Sequence, residues 1–175
     1  IVLHAESGAV LAEKYAETPM LIASTTKLMT ALTALDLASP ERTVTVEREW
    51  TAVEGSSMYL RVGESYTLRE LLEGLLLASG NDAALAIAGS LGGSEFIERM
   101  NRKAEELGLT ASHFENPHGL DAEGHRASAH DLALIMAAAL QNSVLAEILS
   151  MRSSCIHGVT YVNHNKLLWN CPGVN

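Results

Sequence analysis

Basic residues are scarce in this sequence, and they are not clustered. Only four of its 175 residues are lysine, and the formal net charge is −9. Proteins that bind nucleic acid usually present a basic face, and no stretch of this chain could form one. We therefore expect no nucleic acid among its partners.

Long hydrophobic runs are also missing. No apolar run approaches the ~18 residues that a membrane-spanning helix needs; the longest candidate, residues 132–140, predicts a buried helix instead. Hydrophobic residues nevertheless make up 47% of the chain and charged residues 19%. This balance is not that of an intrinsically disordered chain, and it suffices for one domain with a hydrophobic core.

Signals for metal and disulfide chemistry are weak. The seven histidines form neither His-x-x-x-His nor His-Glu-x-x-His, so we expect no metal site. Cys155 and Cys171 are the two cysteines of the chain. They could pair in an exported protein, or be buried as free thiols, and the sequence leaves both alternatives open.

The hydrophobic pattern predicts a mixed α/β protein. Residues 1–5 and 9–14 predict a β-hairpin, and residues 24–38 predict a helix. Capping and turn signals predict further elements: helices beginning at Thr67, near Asp82, at Ser94 and at Ser128, a helix at 143–149, and strands at 43–46 and 156–162. This order predicts a sheet layer beside a mainly helical subdomain over about residues 43–150.

Ser24 and Lys27 lie at positions i and i+3 at the start of the first predicted helix. Such positions share a helix face, so the hydroxyl and the amine can meet. A serine hydroxyl becomes an effective nucleophile when a base takes its proton, and lysine can be that base when burial lowers its pKa. Free amides at the helix N-terminus favour developing negative charge. By itself the motif is weak, and Ser24 as a simple N-cap is the alternative that it favours.

A polar triplet, Ser79-Gly80-Asn81, interrupts two strongly apolar helical segments. Buried polar groups need partners or a cleft. Ser79 could pass a proton between Lys27 and a leaving group, and Asn81 could hydrogen-bond both Lys27 and a substrate amide. The alternative is a corner between helices, in which Gly80 makes the turn and Asn81 or Asp82 caps the next helix.

Together the two motifs resemble those of the penicillin-binding proteins and serine β-lactamases. Longer segments narrow the resemblance to the D-alanyl-D-alanine carboxypeptidases: IASTTKLMTAL at 22–32, GSSM at 55–58, LLLASGNDAA at 75–84, NPHGL at 116–120 and NHNKLL at 163–168. The resemblance implies an α/β fold of the β-lactamase/transpeptidase type, a sheet flanked by helices. Gly80, where class A β-lactamases usually carry Asp, favours the carboxypeptidase, as does the lack of a Glu-x-x-Leu-Asn segment.

One feature of the family is missing. Its third motif usually reads Lys-Thr-Gly, and no such tripeptide occurs here. In relatives it follows shortly after a segment similar to residues 172–175. We therefore expect one catalytic domain over residues 1–175 that is incomplete at its C-terminus and lacks later strands. An activity that needs the third motif would be absent from such a chain.

The resemblance implies a serine peptidase that trims peptidoglycan stem peptides through an acyl-enzyme and is inhibited by β-lactams. The implied catalytic residues are Ser24, Lys27, Ser79 and Asn81, of which Ser24, Ser79 and Asn81 also bind substrate; no metal or organic cofactor is implied. His118 lies in a loop that could approach the cleft, although a role in the turn is the simpler expectation. A catalytically inactive penicillin-binding or cell-envelope structural homologue, and a β-lactamase, are the alternative functions.

The same resemblance implies where such a protein acts. Its partners would be stem peptides that end in D-Ala-D-Ala and β-lactam antibiotics. We expect it outside the cytoplasm of a bacterium, either secreted, periplasmic or on the outer face of the cytoplasmic membrane. Attachment to the membrane surface would require a segment that is not in this sequence.

Overall fold

The computed structural model describes residues 1–171, and the expectations for residues 172–175 lie outside that range. The described part is a mixed α/β protein, as the sequence predicts. Its helices are α1 (Thr26–Leu37), α2 (Leu68–Leu77), α3 (Asn81–Ser90), α4 (Ser94–Glu106), α5 (Ala129–Gln141), α6 (Ser143–Ser150) and α7 (Leu167–Asn170). Short 3₁₀ turns lie at Ala23–Thr25 and Arg48–Trp50.

The described strands pair into three short antiparallel sheets. β1 (Val2–Leu3) pairs with β2 (Val10–Ala12), which is the hairpin that the sequence predicts at the N-terminus. β3 (Thr43–Thr45) pairs with β4 (Ser65–Thr67), and β5 (Ser153–Ile156) pairs with β6 (Val159–Val162). The sequence did not indicate β4, β5 or α7, because each is too short to show a clear hydrophobic period.

Helix α1 is the central helix of the described fold. It packs against α2, α3, α4 and α5, and Met29, Ala31 and Ala34 on it are fully buried. Burial on several sides explains why residues 28–38 are apolar at more than one helical face. The same packing carries Lys27, in the first turn of α1, into the interior of the protein.

One predicted helix start is confirmed and two differ in detail from the prediction. At α2, Thr67 and Glu70 form the complete capping box that was expected. Ser128 accepts a hydrogen bond from the Asp131 amide, but the Asp131 carboxylate accepts instead from Ala111 N and Ser112 Oγ. The prediction of Ser94 as a cap is wrong, because Gly93 is the N-cap of α4 and has a positive φ of 61° that glycine adopts readily.

Residues 156–162 form a turn and a strand instead of the single strand that the sequence predicts. His157 and Gly158 have φ values of 48° and 81°, and two successive positive φ angles are typical of a tight hairpin turn. This turn joins β5 to β6. The loop after β6, at residues 163–165, reaches the cleft described below.

Membrane and thiol features can be stated for residues 1–171. No single helix there is long and apolar enough to cross a membrane; α5 and α6 have the necessary length and composition only as a pair, and they meet at a bend of 104°. Cys155 and Cys171 are both exposed free thiols. The structure therefore agrees with neither the disulfide nor the buried thiols that the sequence left open.

Candidate active site

Ser24 lies in the exposed 3₁₀ turn immediately before α1. The preceding residue, Ala23, has a φ of 45°, a backbone conformation that is unfavourable for a residue with a Cβ atom. Gly119 packs against this turn: a Cβ atom added to Gly119 would lie 1.9 Å from the Ala23 carbonyl oxygen. The turn that contains Ser24 is therefore held from outside as well as by its own helix.

The Lys27 ammonium group lies in the interior, directly below Ser24. The residue is 2% exposed, and its Nζ atom lies 3.0 Å from Ser24 Oγ. Nζ also donates to the Asn81 side-chain oxygen and to the His118 carbonyl oxygen, both at 2.7 Å. The sequence prediction that Ser24, Lys27 and Asn81 meet agrees with this geometry.

Burial lowers the pKa of Lys27 from its usual 10.5 to about 8, and the negative charge of Asp82 opposes part of that effect. Loss of water disfavours the charged ammonium. The neutral amine and the ammonium are therefore similarly populated near pH 8, and the neutral amine prevails above it. A neutral amine can accept a proton, which is what a general base requires.

The three oxygen atoms around Lys27 Nζ also fix the direction of its lone pair when the amine is neutral. A neutral amine has two N–H bonds and one lone pair. The oxygens of Asn81 and His118 accept both N–H bonds, so the lone pair is left facing Ser24 Oγ. The arrangement is that of a base aligned with the hydroxyl from which it would take a proton.

Asn81 is itself oriented by backbone carbonyls of the loop at residues 54–56. Its Nδ2 atom donates to the Glu54 carbonyl at 2.7 Å, and its backbone N–H donates to the Ser56 carbonyl at 2.8 Å. Because Nδ2 faces a carbonyl, Oδ1 must face Lys27. The alternative expectation for this region, that Asn81 or Asp82 caps α3, is wrong, since Gly80 is the N-cap.

Ser79 lies between α2 and α3 with a φ of 57°. Its side chain lines the same cleft as Ser24 and Lys27. Within residues 1–171 its hydroxyl forms no hydrogen bond with either of them. The geometry thus brings Ser79 to the cleft and leaves its hydroxyl available to a molecule bound there.

The cleft has a volume of about 520 Å³. Its floor and one wall carry Ser24, Lys27 and Ser79, and the loop at 163–165 forms a polar rim. Thr25 also lines the cleft, and the remaining lining residues are apolar: Leu28, Leu75, Leu76, Met136, Leu140 and Leu149. Such a mixture of a few polar groups and an apolar wall is typical of a site for a small organic molecule.

Two contributions to the site were missed in the sequence. The loop of His118 does approach the site, and the contact comes from its backbone: the His118 carbonyl accepts a hydrogen bond from Lys27. Burial and the Lys27 charge lower the pKa of the His118 imidazole to about 4. Asp82 is 1% exposed, and its carboxylate accepts hydrogen bonds from Ser57 Oγ, Met58 N and Leu60 N. Main-chain acceptors leave no trace in residue identity, but an acidic residue inside the apolar segment 75–88 was a usable signal.

One group in the described range could offer oxygen and nitrogen ligands to a metal ion. Atoms of Glu17, His130 and Asp131 lie within 4.8 Å of one another. None of these residues lines the cleft that contains Ser24. The chemistry argued for Ser24 and Lys27 does not involve this group.

The mixed α/β fold, with the Ser24–Lys27 pair and the Ser79–Asn81 segment at one cleft, has the architecture of the penicillin-binding proteins and transpeptidases. The sequence model of the D-alanyl-D-alanine carboxypeptidases, peptidase family S11, matches residues 1–175. The chain belongs to this family, as the resemblance implied.

Named relatives agree with this placement. The chain is 40% identical over 180 residues to D-alanyl-D-alanine carboxypeptidase DacB2 of Mycobacterium tuberculosis, covering 99% of this chain and 62% of that protein. It is 35% identical over 187 residues to D-alanyl-D-alanine carboxypeptidase DacF of Bacillus subtilis, covering 100% of this chain and 48% of that protein. The chain therefore spans roughly half to two thirds of the length of these relatives.

A solved structure confirms the fold class. The crystal structure of a D-alanyl-D-alanine carboxypeptidase from M. tuberculosis H37Rv superposes with a TM-score of 0.93 at 39% identity. The match covers 98% of this chain and 67% of that one. The helices and small sheets described above are thus the family's fold.

Proposed function

We propose that this protein is a serine-type D-alanyl-D-alanine carboxypeptidase that trims peptidoglycan stem peptides through an acyl-enzyme on Ser24. The observation that carries the proposal is the position of Lys27 Nζ, 3.0 Å from Ser24 Oγ with its other two acceptors fixed. The names of the family and of its relatives supply the substrate class.

Acylation begins with transfer of the Ser24 proton to Lys27. Ser24 Oγ attacks the carbonyl carbon of the penultimate D-alanine, and the negative charge that develops on the carbonyl oxygen lies at the N-terminal end of α1. Helix N-termini stabilise such charge through free N–H groups and the helix dipole. The backbone amide of Ser24 could donate one hydrogen bond to this oxygen.

Release of the terminal D-alanine needs a proton on its nitrogen. Lys27, now protonated, is the source of that proton, and Ser79 is placed at the cleft to relay it. Asn81 has its amide oxygen on Lys27 and its amide nitrogen on Glu54, so it orients the base. Water then hydrolyses the ester on Ser24, and the shortened peptide leaves.

β-Lactams act on the same group. A β-lactam carbonyl presents the same electrophile to Ser24, and opening of the ring leaves a covalent ester on its oxygen. Because peptidoglycan is assembled outside the cytoplasmic membrane, we place the protein in an extracytoplasmic compartment of a bacterium. Its partners there are stem peptides ending in D-Ala-D-Ala.

The described chain also supports a single-domain organisation. Helix α1, which carries Lys27, contacts α3, which carries Asn81. This contact between a helix outside the subdomain at about 43–150 and a helix within it favours one catalytic domain. The cleft lies at the junction of α1 with the Ser79–Asn81 corner.

The proposal is tested by release of D-alanine from a peptide ending in D-Ala-D-Ala. The protein should release one D-alanine per peptide, and Ser24→Ala should reduce release to background, since loss of the nucleophile disables the whole unit. Ser153→Ala, which changes an exposed serine of β5 that does not line the cleft, is the matched control. D-Alanine release that persists in Ser24→Ala would contradict the proposal.

A further inference from the structure

The segment at residues 54–60 supplies two of the contacts that orient Asn81. Its Glu54 carbonyl accepts from the Asn81 side chain, and its Ser56 carbonyl accepts from the Asn81 backbone. A displacement of this segment would free the Asn81 amide to rotate. Rotation would take away an acceptor from Lys27. The segment therefore affects Lys27 indirectly, through Asn81.

Met58 is the point at which this segment is fixed to the rest of the protein. Its backbone N–H donates to Asp82 Oδ1 at 2.9 Å, and its carbonyl accepts from the Tyr161 hydroxyl at 2.7 Å. Its side chain is buried against α2, where a Cβ atom on Gly74 would lie 2.2 Å from its sulfur. Donor, acceptor and side chain of one residue are thus held by three different elements.

The segment is strained beside this anchor. Tyr59 has a φ of 62° although it is 83% exposed. A residue with a Cβ atom keeps such a conformation only when its surroundings enforce it. The enforcing contacts come from Asp82, which also accepts from Ser57 Oγ at 2.6 Å and from Leu60 N at 2.9 Å.

We propose that Asp82 and Tyr161 are positioning residues: they clamp the 54–60 segment at Met58, and the segment in turn holds Asn81 and Lys27 in line with Ser24. Neither residue hydrogen-bonds the reacting atoms. Tyr161 reaches the segment from β6, which the sequence places far from both motifs. The assignment explains why a buried carboxylate sits next to Asn81 without contacting Lys27.

Tyr161→Phe tests the clamp with the least disturbance, since it removes one hydroxyl and keeps the ring. We expect acylation of Ser24 by benzylpenicillin to slow about fivefold, the effect of losing one hydrogen bond that orients a reacting group. The affinity of the initial complex should stay close to that of the wild type. Tyr66→Phe is the matched control, because the Tyr66 hydroxyl contacts Glu64 and not the segment.

A second readout follows Lys27 itself. Asp82 and His118 are the ionisable groups that interact with Lys27, and Tyr161→Phe changes neither charge. Loosening of the segment changes both the access of water to Lys27 and its contact with the Asn81 oxygen, so the pKa of Lys27 should move away from its wild-type value. NMR titration of ¹³Cε-lysine measures this pKa, with the Lys27 signal assigned by its loss in Lys27→Arg.

Ser57→Ala provides an independent variant, because it removes one of the hydrogen bonds on Asp82 and should shift both readouts in the same direction as Tyr161→Phe. Only the acylation rate rests on the proposed function. A wild-type protein that forms no adduct would contradict that function, and the Lys27 titration would still test whether Tyr161 holds the 54–60 segment. Wild-type rates and a wild-type Lys27 titration in Tyr161→Phe, whatever its melting temperature, would overturn the inference.

Discussion

Lys27 Nζ lies 2.7 Å from Oδ1 of Asn81, a residue 54 positions further along the chain. This contact joins the first turn of α1 to the corner between α2 and α3. It converts two short sequence motifs into one site, since the side chain that orients the base belongs to the second motif.

Acylation of Ser24 should depend on pH through Lys27. Because burial lowers the pKa of Lys27 to about 8, the neutral amine dominates above that pH and is lost below it. The rate of acylation by benzylpenicillin should therefore rise with pH to a plateau, with a midpoint near 8, and fall about tenfold per pH unit on the acid side. A flat profile between pH 6 and 9 would show that Lys27 is not the base.

Asn81→Asp should slow acylation strongly. A carboxylate at 2.7 Å from Nζ stabilises the ammonium and raises the pKa of Lys27, by roughly 1–3 units for an opposite charge at this distance. At pH 7 the fraction of neutral amine then falls by about tenfold per unit. Stopped-flow acylation measures the loss, and the midpoint of the pH profile should move upward.

The control for that change is Asn170→Asp, which adds the same charge at an exposed position of α7. Its acylation rate and midpoint should match those of the wild type. Equal effects of the two variants would mean that net charge, and not the contact with Lys27, is responsible.

Gly119→Ala should displace the turn that carries Ser24. The added Cβ atom would lie 1.9 Å from the Ala23 carbonyl oxygen, at a φ of +91°. We expect acylation to fall at least about tenfold, since small displacements of a reacting group are costly. Adduct formation followed by mass spectrometry is the measurement.

Gly158→Ala is the control that shows how much of the Gly119→Ala effect comes from backbone strain alone, without a steric clash. Gly158 has a similar φ of +81° but open space around it, so this variant should lose only about 1–2 kcal/mol of unfolding free energy. Its acylation rate should be unchanged. If Gly119→Ala likewise loses stability but keeps the wild-type acylation rate, the packing of Gly119 on Ala23 does not position Ser24.

Ser79→Ala should show that Ser79 and Asn81 have different roles in the site. The Ser79 hydroxyl lines the cleft but does not bond Lys27 in the described structure, so the midpoint of the pH profile should stay in place. Turnover of a D-Ala-D-Ala peptide should fall by about 10²–10⁴, as expected for loss of a proton-transfer group. A shifted midpoint with normal turnover would instead assign Ser79 to orienting Lys27.

Local chemistry explains which parts of the site were predictable. Ser24 and Lys27 could be paired from their i,i+3 spacing alone, and the Thr67 capping box and the N-terminal hairpin follow from short-range patterns. The role of the polar triplet required the resemblance to a family, because its residues are equally suited to a helix corner. Asn81 proved to bind Lys27 through a long-range contact that no local pattern encodes.

Other contributions could not be read from residue types. The acceptor on His118 is a backbone carbonyl, which every residue possesses. The hairpin at 153–162 was missed because its turn is His157-Gly158, which lacks the Asn-Gly or Asp-Gly signature. Tyr161 reaches Met58 across 103 positions of chain, so its importance appears only in the folded protein.

The assignment of Ser24 as an activated nucleophile is tested most directly by intact-mass spectrometry after incubation with benzylpenicillin. The wild-type protein should gain the mass of one penicilloyl group, and Ser24→Ala should gain none. An adduct that persists in Ser24→Ala, or a wild-type protein that stays unmodified while folded, would contradict the account.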